Sequence, residues 1–161
     1  MKRSFFASAL TAGLIAGILD ITAACIHGYL RNGTTPEQIL RGIAGAAFGR
    51  EAAANGNLMI VWGLLFHFLI AISFTFFFFL LARMIPSLVK SPVLIAILYG
   101  AFVWAFMRYV VLNYISTIHI KPIEGREVII NQIIGAVILM ICIGLPDALF
   151  AKRYLKANAL S

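Results

Sequence analysis

Asp20, His27, His67 and Arg108 stand inside stretches otherwise built from alanine, glycine, aliphatic and aromatic residues. A carboxyl group, two imidazoles and a guanidinium can exchange protons, pair with one another, or hold the charged end of a small molecule. At the centre of a bilayer such a side chain costs about 2.5–3.5 kcal/mol on insertion scales, so it faces protein or water, and by default it marks a functional site. Asn131 and Gln132 add uncharged hydrogen-bonding groups to the last apolar stretch. These six are the candidate substrate-binding residues. No nucleophile–base–acid set, phosphate loop or HExxH pattern accompanies them, which leaves catalysis unsupported. No Cys/His set has zinc spacing, so neither a metal nor a cofactor is called for.

Spacing and depth bring the six together. Gly13, Gly17, Asp20, Ala24 and His27 recur at intervals of three and four, one stripe of a helix. Weaker stripes carry Gly63 with His67, Gly100 with Trp104 and Arg108, and Asn131 with Gly135, Leu139 and Cys142. At 1.5 Å per residue, Asp20, His67 and Arg108 all fall roughly 4–6 Å outward of mid-span. The expected arrangement is a polar funnel open to the outer face, with His27, Asn131 and Gln132 near its mouth and an Asp20–Arg108 pair at its floor. That pair reads equally as a structural ion pair that fixes helix register. His67 reads as a packing residue as well as a ligand, and His27 with His67 can be read as an axial pair for one haem.

The elements that must position these groups are membrane spans. Of the 161 residues, 62% are hydrophobic and 12% charged, with a mean hydropathy of +0.98, against roughly 45–50% and about 25% in soluble domains. A soluble globule is excluded. About 20 helical residues cross the hydrocarbon, and four stretches qualify: 5–29, 58–82, 93–115 and 128–150. Pro86 follows the second, Pro92 opens the third at a first helical turn, Glu127 favours the start of the fourth, and Pro146 should kink its last turn. The first stretch is too long for a signal peptide and reads as an uncleaved anchor. Cys25 and Cys142 fall at different depths and are expected to be free thiols.

Residues 31–57 are long enough for structure of their own. Thr35-Pro36-Glu37-Gln38 has the pattern of a capping box with proline at the first helical position, and an amphipathic helix is expected over about 36–53. Its Gly42, Gly45 and Gly49 would let it lie close on the bundle. Lys2, Arg3, Arg83, Lys90, Lys152, Arg153 and Lys156 collect on one side; Arg31, Arg41, Arg50, Lys121 and Arg126, mixed with acids, lie on the other. By the positive-inside rule both termini are cytoplasmic. His119 falls in the outer loop, as a solvated side chain. The net charge of +7 is scattered over loops and ends, an argument for membrane orientation and against nucleic acid. The expected fold is all-α: one polytopic domain, 1–161, a four-transmembrane-helix bundle with an extra amphipathic helix between the first two spans.

Gly13-Leu-Ile-Ala-Gly17, His67-Phe68 opening an aromatic span that ends Met84-Ile85-Pro86, and a last helix running into Lys152-Arg153 together resemble small bacterial inner-membrane proteins of the YagU type. The chain departs from that group at Gly135-Ala136, where those proteins carry a Gly-His pair. The resemblance implies a multi-pass inner-membrane location and carries over no binding residue. The residues themselves leave three readings: a transporter-like or solute-binding protein in which Arg108 holds a small anionic solute and Asp20 balances it; a scaffold whose small-residue stripes bind another membrane helix, from a partner or a second copy; and a redox protein with haem on His27 and His67.

Overall fold

The structure, a computed structural model, describes residues 3–49, 51, 56–116 and 125–159. His119, Lys2, Arg50 and Lys121, and the part of the expected amphipathic helix at 50 and 52–53, lie outside the described residues.

Helix α1 (Phe5–Asn32) opens at Ser4, whose hydroxyl accepts from the Ala7 N–H, and closes at Gly33. Gly33 has φ +65°, a left-handed conformation that costs glycine nothing. Helix α2 spans Pro36–Phe48 and α3 spans Leu58–Met84. After a 3₁₀ turn at Pro86–Lys90, α4 (Pro92–Phe106) continues into a π-helical segment, Met107–Ile115. Helix α5 (Arg126–Leu139) passes through a second π segment, Met140–Gly144, into α6 (Leu145–Ala159). Among the described residues, four helical stretches are long and apolar enough to cross a membrane: Phe5–Asn32, Leu58–Met84, Pro92–Asn113 and Arg126–Ala159. The shortest has 22 residues, about 33 Å of helix against about 30 Å of hydrocarbon. Large apolar side chains such as Leu30, Leu69 and Leu98 are more than half exposed, as lipid contact requires. The chain is a multi-pass membrane protein, an all-α four-helix bundle with one extra helix.

The termini share one face. The Arg3 N–H donates to Asn158 Oδ1 at 3.2 Å and Asn158 Nδ2 donates to the Arg3 carbonyl at 3.3 Å. At the opposite face Arg31, at the end of α1, reaches Glu127 at the start of α5, 3.5 Å apart.

The capping box at Thr35 forms as the pattern predicts, with Gln38 Oε1 accepting from the Thr35 N–H at 2.9 Å. Helix α2 is shorter than expected because Gly49 (φ +89°) turns the chain out of the helix after Phe48. It packs on the N-terminal end of α3, where Gly63 leaves room for the Leu40 carbonyl, and Phe48 packs against the rings of Trp62 and Phe66.

The last span runs nine residues past its expected end. Pro146 lacks an N–H, and the chain absorbs it in a wider turn: the Leu145 N–H donates to the Met140 carbonyl, five residues back. The close-packed core lies toward the termini, where Ala9, Ala12, Phe78, Phe79, Ala82, Val103 and Ala148 are sealed from solvent. Here α4 and the last span approach through glycines: Gly100 faces the Met140 backbone, and Gly144 faces that of Ala96.

A carboxyl and two imidazoles around one cavity

Toward the other face the helices separate around a cavity of about 310 Å³. Helix α1 contributes Asp20, Ala24 and His27, α2 closes one side with Ile43, and α3 supplies His67, Ile70, Ala71 and Phe74. The rest of the wall is apolar, from α4 and the last span. Met107 and Ile143 in that wall belong to the two π segments.

The position of His67 follows from the small stripe on α1. Gly17 has no side chain, so the Phe68 ring packs directly on the α1 backbone, and His67 Nε2 comes to 2.9 Å from the Gly17 carbonyl. A carbonyl oxygen only accepts, so Nε2 carries the hydrogen and donates. Nδ1 is then the nitrogen available for other work. Asp20 lies one turn along α1 from that carbonyl and lines the same cavity as His67. Asp20 itself has no hydrogen-bond or ion-pair partner among the described residues, and its carboxyl borders the cavity. A haem held by both histidines would need a bare ring nitrogen on each side of the iron. On His67 only Nδ1 meets that condition while the Gly17 bond is kept.

The expected Asp20–Arg108 pair does not form. No ion pair joins the two, and Arg108 is not among the residues that line the cavity. It sits half-buried next to Met107, and adjacent helical residues point about 100° apart, so when Val103 and Met107 turn to the cavity Arg108 turns away from it. Asn131 and Gln132, partly buried on α5, also lie off the wall. The fold therefore gathers Asp20, His27 and His67 and leaves Arg108, Asn131 and Gln132 outside.

One buried polar group escaped the sequence reading. Asp147 is fully buried on α6, and the Thr75 hydroxyl lies 2.9 Å from its Oδ1. Oδ2 is buried with no hydrogen-bond partner among the described residues. Tyr99 stands nearby and donates its hydroxyl hydrogen to the Phe74 carbonyl at 2.6 Å. The signal was present: Asn131, Gly135, Leu139, Ile143 and Asp147 follow at intervals of four, continuing the polar stripe beyond Pro146.

The small residues of the stripes are used within the chain. A Cβ on Gly13 would stand 3.0 Å from the Ile72 Cα, and one on Gly17 would stand 2.9 Å from the Phe68 ring. No family model matches the chain, and neither does any curated protein or solved structure compared with it.

Proposed function

We propose that this membrane protein binds a small solute in the cavity bordered by Asp20, His27 and His67, and that it is transporter-like. The observation that carries the reading is the Asp20 carboxyl, bordering a cavity of about 310 Å³ without a hydrogen-bond or ion-pair partner among the described residues. A carboxyl placed in a membrane span without such a partner is costly unless a ligand or water completes it. Among the described residues no lysine or arginine lines the cavity, so the complementary solute is a hydrogen-bond donor or cation. An anion held by Arg108 loses its support because Arg108 is not on the wall.

The wall also suits a protein that changes shape. Two of its residues lie on π segments, and such interruptions recur at functional sites in membrane helices. The sealed core toward the termini gives the moving parts a fixed base. A scaffold reading has less support, since the closest-packed small residues of α1 already hold α3. The excess of Lys and Arg on the terminus side favours cytoplasmic termini in a bacterial inner membrane.

Thermal unfolding of the purified protein with ethylamine or with acetate tests the proposal. A ligand present at 100 times its Kd stabilises by about 2.7 kcal/mol. Ethylamine is expected to raise the midpoint of the wild type and of Arg108→Ala, but not of Asp20→Asn. Stabilisation by acetate that vanishes in Arg108→Ala would contradict it.

A further inference from the structure

Helices α3 and α4 are consecutive spans, yet their backbones do not pack closely. Aromatic rings bridge them instead: Phe74 stands edge-on to Phe106 at 5.6 Å, and Phe77 stacks on Phe102 at 6.1 Å. Between these rings, on the surface that faces lipid, runs an apolar groove of about 430 Å³. On α3 it extends from Leu69 to Phe77, about 12 Å at 1.5 Å per residue. Its one hydroxyl, that of Ser73, is spent on the Leu69 carbonyl at 2.7 Å.

The groove and the Asp20 cavity share two wall residues, Ile70 and Phe74. An apolar channel open to the bilayer thus abuts a compartment whose charged group is a carboxyl. Resting on the solute-binding reading above, we propose that the ligand is an amphipathic amine that enters sideways from the bilayer between α3 and α4. Its hydrocarbon tail lies in the groove past Phe74, and its ammonium head reaches Asp20. The two compartments set this chemistry. A tail without a head leaves Asp20 unsatisfied, a phosphodiester head brings an anion against it, and a short polar solute leaves the groove without a role.

The test uses the full-length protein in phosphatidylcholine nanodiscs with three photoreactive probes. Each carries a diazirine on a twelve-carbon tail, and the heads are ammonium, sulfate and phosphocholine. The amine is expected to label residues of the groove saturably, at least tenfold more than either of the others. Asp20→Asn should remove that preference, and excess unlabelled dodecylamine should compete. Equal labelling by all three probes, unchanged in Asp20→Asn, means ordinary lipid contact and overturns the proposal. Stabilisation by ethylamine, with no groove labelling and no stronger effect of dodecylamine, overturns lateral entry while leaving the cavity reading intact. Failure of both amines to stabilise or label removes both.

Discussion

His67 on α3 donates a hydrogen bond from Nε2 to the Gly17 carbonyl on α1, 2.9 Å away, and this contact couples the bundle to the cavity. It locks the imidazole beside Asp20 and fixes which nitrogen faces other partners. Interhelical hydrogen bonds of this kind in membranes are worth about 0.6 kcal/mol on average and up to about 1.7. His67→Ala is therefore expected to lower unfolding stability in detergent by about 1–2 kcal/mol, adding lost packing to the lost bond. Asp20→Asn, which removes no protein hydrogen bond, should change stability by less than about 0.5 kcal/mol. Equal destabilisation by the two would refute this assignment of His67.

Thr75 and Asp147 form a second polar contact between helices, inside the sealed half. Asp147→Asn keeps an oxygen in place for the Thr75 hydroxyl and keeps the volume, so a loss under about 1 kcal/mol is expected. Asp147→Ala opens a void and breaks the contact between helices, leaving the Thr75 hydroxyl only the Ala71 carbonyl of its own helix at 3.1 Å, which should cost about 2 kcal/mol. Thermal unfolding of the two variants checks the order; an Asn variant no better than Ala would contradict it.

Glycines at backbone contacts should behave differently from a glycine in the open. A methyl group at Gly100 or Gly144 meets the backbone of Met140 or Ala96, and such overpacking costs about 1–3 kcal/mol. Among the described residues nothing lies within 4 Å of a Cβ built on Gly42, so Gly42→Ala should gain up to about 1 kcal/mol from helix propensity. Denaturation midpoints of the three alanine variants measure this. Uniform effects would mean that the α4 contact with the last span is looser than described.

The spans were legible because composition and length alone specify a membrane helix, and the Thr35 capping box was legible because it is local. The stripe from Gly13 to His27 correctly anticipated that Asp20 and His27 border one cavity, since regular α1 obeys the helical period throughout. Arg108 was misplaced for another reason. Its depth was counted but its face was not: Val103 and Met107 turn to the cavity, and Arg108 stands about 100° round the helix from Met107. Asp147 lies inside the expected span, but a kink expected at Pro146 hides that it continues the stripe, whereas the π turn at Met140–Gly144 carries the helix to Ala159. Both errors concern which face a residue presents, and depth and composition do not fix that.

Cysteine accessibility tests the central claim most directly. Ala24 lines the cavity between Asp20 and His27. In a background with Cys25 and Cys142 replaced by alanine, Ala24→Cys would be treated with a cationic and an anionic methanethiosulfonate of similar size. The cationic reagent is expected to react at least tenfold faster, and Asp20→Asn should abolish that preference. Protection from both reagents, or equal rates with Asp20 intact, would contradict a carboxyl-bearing cavity as the functional centre of this protein.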